Sequence, residues 1–177
     1  MFDPTAFDNM KVIIEGALYD RDLDGEIIIT DRNDIINMAK MSRHFNICFS
    51  FPHVKGKEVS AKMELESMLV HLASELLPGS KTKHLTGCFI KPYFTFEVEE
   101  TELDYLKLHT ILNELWGTSR KITLSIQHEP LNPNNKKTGS ITVDFERLIT
   151  EDQMDDLVEM TDVMITTLQK ITDYLSK

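Results

Sequence analysis

Three aspartates near the N-terminus stand at the spacing of a calcium-binding loop. In the stretch YDRDLDGEIIITD, Asp20, Asp22 and Asp24 alternate with other residues, and Gly25 follows them. In an EF-hand loop, the carboxylates at positions one, three and five converge on the cation, and glycine at position six allows a sharp bend. Position twelve is normally a bidentate glutamate, and this chain has Asp31 there. Asp20, Asp22 and Asp24 are therefore candidate calcium ligands, and the sequence suggests no other cofactor.

The same stretch also fits a β-hairpin whose turn is DLDG. The flanking segments 11–19 and 26–30 are rich in β-branched residues, which are typical of strands. An Asp-Gly pair between two apolar runs is a common hairpin turn. Residues 10–18 also carry apolar side chains at helical spacing, as an EF-hand would require, but the isoleucine run after Gly25 does not resemble the exit of such a loop. The hairpin is the preferred interpretation.

The other chemistry-bearing residues form no recognised motif. The six histidines and two cysteines give neither an H-E-x-x-H nor a C-x-x-C pattern. The glycine-rich signatures of nucleotide binding are also missing. Cys48 and Cys88 lie in apolar, strand-like stretches, which predicts buried free thiols in a reducing cytoplasm. No catalytic or cofactor-binding residue is predicted, and whether the protein is an enzyme stays open.

Two segments in the second half alternate strictly between apolar and polar residues. They are RKITLSIQHE, residues 120–129, and GSITVDFE, residues 139–146. Strict alternation predicts strands with one face in the core and the other in water, as in an antiparallel sheet covered on one side. The polar side chains that would share the open face are Lys121, Thr123, Ser125, Gln127, Thr142 and Asp144.

The remaining chain divides into alternating helical and strand-like segments. Residues 46–51 and 88–98 are predicted strands, with Pro92 placing the second at an edge or at a bulge because proline has no N–H for the ladder. In that strand Phe89 and Tyr93 share the face opposite Phe94 and Phe96. If that face is open to solvent, the two rings form an apolar patch for a protein partner or an apolar ligand. Helical spacing predicts helices over 31–45, 58–77, 101–117 and 150–175. Thr101 and Asp104 resemble a capping box at the start of the third of these helices.

The predicted C-terminal helix is long for a chain of this size. Thr150 and Gln153 resemble a capping box, and apolar residues then recur at steps of three and four up to Leu175. A helix of this length spans roughly 39 Å, more than the width of a modest sheet. Its end is therefore expected to overhang the sheet and to meet a second chain.

These elements predict one α+β domain over residues 1–177, with helices on one face of a mainly antiparallel sheet and a long amphipathic C-terminal helix. The order of elements also allows two similar halves, 1–79 and 85–177, although no sequence repeat links them.

The composition limits the classes of partner that we expect for this protein. The net charge of −10 disfavours nucleic acid and anionic membrane surfaces, and no segment has the length and apolarity of a membrane span. Without a catalytic signature, we expect a non-enzymatic cytoplasmic interaction or regulatory module that binds a protein partner or forms a homo-oligomer, such as a homodimer. The alternatives are a small enzyme or small-ligand binder that uses the polar face of the sheet, and a divalent-ion binder at Asp20, Asp22 and Asp24.

Overall fold

A computed structural model of the protein describes residues 5–52, 58–77, 85–98, 103–131 and 137–176. In this part of the chain, six strands form one antiparallel sheet and four α-helices pack against it. The strands are β1 (Ile28–Asn37), β2 (Ser42–Ser50), β3 (Val59–Ser67), β4 (Phe89–Val98), β5 (Lys121–His128) and β6 (Lys137–Asp144). The helices are α1 (Ala6–Leu23), α2 (Leu69–Leu76), α3 (Tyr105–Trp116) and α4 (Met154–Leu175), with a 3-10 turn over Glu151–Gln153.

The strand order in the sheet is β1-β2-β3-β4-β6-β5. The first three strands form a meander, and β4 joins them to the pair formed by β6 and β5. Each half of the sequence therefore contributes three neighbouring strands to the same sheet. β1 and β5 are the edge strands.

All the buried strand residues lie on one face of the sheet, which is the alternation predicted from the sequence. On β3, for example, Val59, Ala61, Met63 and Leu65 are buried while the residues between them keep part of their surface in water. Helix α1 packs against α4 across β3, and α3 packs against α4 and β5. The predicted α+β fold, with helices on one face of an antiparallel sheet and a long C-terminal helix, is confirmed.

Gly139 on β6 makes room for a large aromatic ring in the core. It pairs with Phe96 of β4, and a Cβ atom added at Gly139 would lie 2.3 Å from the Phe96 ring. That distance is well inside van der Waals contact, so the buried phenyl group occupies the space that a side chain would need.

The predicted hairpin around the DLDG turn is wrong. Residues 6–23 form helix α1, whose apolar residues at helical spacing, Met10, Ile14 and Leu18, are fully buried. Met10, Ile14 and Leu18 are four residues apart, which places them on one side of a helix, while Val12 between them is exposed. Burial therefore outweighs the β preference of the isoleucines.

Two predicted helices are wrong in the first half of the chain. The segment 31–45 forms most of β1, a tight turn and the start of β2, and the first half of 58–77 forms β3. Only Leu69–Leu76 of the second segment is helical. Alternate burial along β3 outweighs the helix preference of its Ala, Lys, Met and Glu residues.

Strand β4 lies in the middle of the sheet and its register with β3 continues through Pro92 without a shift, so the prediction of an edge strand or a bulge is wrong. Pro92 pairs with Met63 of β3, and the ladder between β4 and β6 begins at the next residue, Tyr93. Since the ladder between β4 and β6 does not extend to Pro92, no hydrogen bond to β6 requires an N–H at this residue. Proline is therefore tolerated here.

The two helices predicted in the second half are confirmed, with details that differ. Asp104, the N-cap of α3, accepts a hydrogen bond from the Lys107 N–H at 3.1 Å, and Gly117 is the C-cap with φ of 78°. Thr101 lies outside the described residues. In α4, buried side chains run from Leu157 to Ile171, so the helix packs on its own sheet along most of its length and the expected overhang is wrong.

Candidate functional site

The face of the sheet opposite the helices is polar and open. Each residue predicted for this face lies on it, next to a residue that points into the core. On β5 these side chains are exposed, and on β6 they are half-buried. No strand residue pointing to this side in the described part of the chain is buried. The residues concerned are Lys121, Thr123, Ser125, Gln127, Thr142 and Asp144.

One row across this open face consists only of hydroxyl side chains. The strand register aligns them on five neighbouring strands, from β2 to β5. Such a row is neutral and offers both donors and acceptors of hydrogen bonds. Its members are Ser50, Ser60, Thr95, Ser140 and Ser125.

The charged groups of the open face neutralise one another. Glu64 on β3 lies 2.9 Å from the Lys62 ammonium and 3.7 Å from the His44 imidazole, and it accepts a hydrogen bond of 3.4 Å from the Tyr93 hydroxyl. The Lys62 ammonium also lies 4.3 Å from the centre of the Tyr93 ring. A charged ligand at this point would have to compete with these contacts.

The two weakly acidic nucleophiles of this face are held in their protonated forms. Burial raises the pKa of the Cys48 thiol, and the Asp31 carboxylate adds to the rise. Burial, followed by the charge of Glu64, raises the pKa of the Tyr93 hydroxyl to about 12. A thiolate or phenolate is therefore scarce at neutral pH, which counts against either group as a nucleophile or general base.

Phe89 and Tyr93 lie on the open face, as the prediction of a possible patch required. Both are half-buried rather than exposed. The Phe89 ring meets the buried His71 of α2 edge-on, with 5.4 Å between the ring centres, and the Tyr93 ring is covered by Lys62. His71 in turn accepts a hydrogen bond from the Met68 N–H at 3.1 Å, so its polar edge has a structural role.

The two cysteines lie on opposite faces of the sheet. Cys48 points to the open face of β2 and is half-buried, whereas Cys88 is fully buried beside Ile149. Burial raises the pKa of the Cys88 thiol to about 12. An intramolecular disulfide between them would have to pass through the sheet.

The three aspartates of the candidate calcium site lie at the end of α1. Asp20 and Asp22 are in its last turn and Asp24 is its C-cap. Two positions apart on a helix, Asp20 and Asp22 point to different sides. Asp22 accepts a hydrogen bond from the Ile29 N–H at 3.3 Å. Among the described residues, no group of three or more His, Cys, Asp or Glu is arranged to hold a metal, and calcium binding stays a prediction.

Exposed apolar side chains concentrate at the end of the sheet formed by the β1–β2 turn. Ile35 and Ile36 pair with His44 and Arg43, and Arg43 pairs with Ser67, the last residue of β3. The residues that follow Ser67 therefore emerge at the same end. We call this group the hairpin-end patch; it consists of Ile35, Ile36, Met38, Met41, Met68 and Leu69, all exposed.

Sequence reasoning missed this patch because it assigned residues 31–45 to a helix. In a helix, Ile35, Ile36 and Met38 would form part of a buried stripe. On an edge strand, the two isoleucines point to opposite faces and the methionine lies in the turn.

No protein-family model, curated protein sequence or solved structure matches this chain. No helix within the described ranges is long and apolar enough to cross a membrane. The surfaces described above are therefore the basis for assigning a function.

Proposed function

We propose that this protein is a non-enzymatic, cytoplasmic interaction module that forms a homodimer through edge strand β1 and the hairpin-end patch. The observation that carries the proposal is that a group of exposed apolar side chains lies beside a ten-residue strand with an unpaired edge. Apolar groups at such a position favour association because their burial removes them from water.

Strand β1 has only part of the usual protection of an edge strand. Natural edges are commonly blocked by lysine, by proline or by a β-bulge. The sequence IITDRNDIIN contains neither lysine nor proline, and its register with β2 shifts only near its start, between Ile29 and Asp31. Its charged groups are engaged within the same chain, since Arg32 pairs with Glu15 and Asp34 pairs with Lys11. At the start of the strand, Asp22 accepts the Ile29 N–H, while the remainder of the edge is open to a partner strand.

Strand β1 is also suited to pair with a second copy of itself. Antiparallel pairing of identical strands is two-fold symmetric, so each contact occurs twice. With Asn33 on the two-fold axis, Arg32 of each copy lies across from Asp34 of the other, so no like charges face each other at this point of the ladder. Ile36 then lies across from Thr30 of the other copy, near the start of its β1.

Other features support a binding role in a reducing compartment. The raised pKa values of Cys48 and Tyr93 disfavour nucleophilic catalysis on the open face. Both cysteines are free thiols, as is usual in the cytoplasm. Helix α4 does not support self-association, because its apolar side is already packed.

Light scattering coupled to size-exclusion chromatography tests the proposal. We expect a dimer whose population rises with protein concentration. We expect Ile36→Lys and Met38→Lys each to give monomers whose melting temperature equals that of wild type at dilutions where wild type is also monomeric. Ile36 and Met38 are 58% and 74% exposed, and Leu106 on α3, 82% exposed, provides the matched control Leu106→Lys. A wild-type monomer at every concentration, or equal dissociation by the control, would refute the proposal.

A further inference from the structure

A second surface lies in a pocket away from β1, where α3, α4 and the segment linking β6 to α4 meet. It encloses a cavity of about 220 Å³. This is slightly below the range of about 300–1,000 Å³ typical of drug-sized ligands, so its occupant is small. The buried residues Trp116, Ile149 and Met160 contribute an apolar base, and Phe145 continues it toward the mouth.

The distribution of arginine partners singles out this pocket. The chain has five arginines. Three of them form ion pairs with carboxylates: Arg21, Arg32 and Arg43. The other two, Arg120 and Arg147, both line this pocket. In an acidic protein with 29 carboxylate side chains, these are the two arginines without a carboxylate partner in the described part of the chain.

The partners of these two guanidinium groups are neutral and leave donors free. Arg120 donates to the Ser119 hydroxyl at 2.8 Å, and its guanidinium lies 4.8 Å from the centre of the Phe145 ring. Arg147 donates to the Gln153 side-chain oxygen at 2.9 Å and to the Leu148 carbonyl at 3.3 Å. A guanidinium has five N–H donors, so each can bind an anion in addition.

The aromatic base offers ring surface rather than hydrogen bonds. The indole N–H of Trp116 already donates to the Thr167 hydroxyl at 3.0 Å, and its ring meets Phe145 edge-on with 6.3 Å between centres. An occupant in contact with these rings is therefore apolar or aromatic where it meets them.

The turn that presents Phe145 and Arg147 adopts an unusual backbone conformation. Glu146, between them, has φ of 53°, a region that residues other than glycine rarely adopt. Its N–H donates to the Asp144 carboxylate at 2.8 Å, which helps to hold the conformation. Strained backbone of this kind is enriched at functional sites.

Two acidic side chains in the lining limit the charge of the occupant. Asp156 and Glu159 of α4 also line the pocket, and they would repel a second negative group. A single carboxylate near the arginines is compatible with these two acids, whereas a polyanion is not. We infer that this pocket binds a small aromatic monocarboxylate, whose ring lies on Trp116 and Phe145 and whose carboxylate lies between Arg120 and Arg147.

The single tryptophan of the chain, Trp116, provides a direct readout. The protein is titrated with 3-phenylpropionate, with its neutral isostere 3-phenylpropanamide and with inorganic phosphate, while Trp116 fluorescence and the melting temperature are recorded. We expect a saturable response to the carboxylate, binding of the amide weaker by about tenfold or more, and still weaker binding of phosphate. The tenfold figure corresponds to the loss of a charge-assisted hydrogen bond.

Variants assign the response to the two arginines. Arg120→Gln and Arg147→Gln should each weaken 3-phenylpropionate binding by about tenfold. Arg21→Gln, which removes an arginine outside both the pocket and β1, should leave binding unchanged. The inference is overturned if 3-phenylpropionate gives no saturable response, if the amide or phosphate binds as well as the carboxylate, or if Arg21→Gln weakens binding as much as the pocket variants do.

Discussion

Replacing Arg43 by methionine should reveal how much the ion pairs between α1 and the β1–β2 strands stabilise the fold. The Arg43 guanidinium donates to Asp8 at 2.7 Å, lies 3.4 Å from Asp34 and sits 4.3 Å from the centre of the Phe7 ring. Methionine keeps an unbranched apolar side chain at this position and removes the charge.

The expected loss of stability at pH 7 is about 2 kcal/mol. A charge-assisted hydrogen bond of the Asp8 type contributes about 1.5–3 kcal/mol, the longer contact with Asp34 about 0.5 kcal/mol, and the contact with the Phe7 ring about 0.5–1 kcal/mol. Part of this is offset, because the buried Arg43 Nε has no hydrogen-bond partner in the structure, and such a group costs about 1 kcal/mol or more.

The loss should shrink in acid, which separates ion pairing from packing. Burial alone would raise the pKa of Asp8, but hydrogen bonds from Thr5 and Arg43 and the Arg43 charge lower it below its usual range. For Asp34, burial is likewise outweighed by Lys11 and Arg43, and its pKa is lowered. A lowered folded-state pKa stabilises the fold above about pH 4 and ceases to do so as the pH falls through the folded-state value.

Urea unfolding followed by Trp116 fluorescence at pH 7 and at about pH 3 gives the two free energies. We expect the difference between wild type and Arg43→Met to be smaller at about pH 3 than at pH 7, because stabilisation from these carboxylates starts to be lost once the pH falls below the unfolded-state pKa of aspartate, about 3.9. Arg147→Met is the matched control, because Arg147 has no carboxylate partner among the described residues. An Arg43→Met effect that is equal at both pH values, or matched by the control, would refute the reasoning.

Two further predictions concern the core. Gly139→Ala should lower the free energy of unfolding by about 1–3 kcal/mol through overpacking against Phe96. The control Thr138→Ala, on the open face, should change this free energy much less. Urea unfolding measures both variants, and equal effects would contradict the prediction. Cys88 should react with a thiol reagent only after unfolding, while Cys48 reacts slowly in the native protein and faster as the pH rises; rapid labelling of both thiols in the native state would show that this burial is wrong.

The second half of the fold could be predicted because its local patterns agree with its tertiary structure. Ile122, Leu124 and Ile126 alternate on β5, and the apolar residues of α4 keep helical spacing throughout. In both cases a single period describes both the sequence and the burial, so no competing structure fits as well.

The first half could not be predicted because propensity and burial disagree. Strand β3 is composed largely of helix-forming residues, although its apolar positions alternate. Helix α1 contains several β-branched residues, although Met10, Ile14 and Leu18 share one side. Packing against the rest of the protein decides such cases, and a local pattern does not contain that information.

The candidate surfaces also divide into those that follow from a local sequence pattern and those that depend on the tertiary fold. The polar face of β5 and β6 followed from strict alternation within each strand. The pocket did not, since Trp116, Phe145 and Met160 come from separate segments and only the fold brings them together. The hairpin-end patch was hidden by the incorrect helix at residues 31–45.

The pairing of α1 with α4 has a consequence for the order in which the molecule assembles. Arg21 of α1 bonds to Asp162 of α4 across 141 positions of sequence, and Asn9 of α1 bonds to Glu151, in the 3-10 turn before α4, across 142 positions. The β1–β2 hairpin, by contrast, closes over a tight turn. Because closing a long loop costs more entropy than closing a short one, we expect the hairpin to form early during folding and the two helices to dock last.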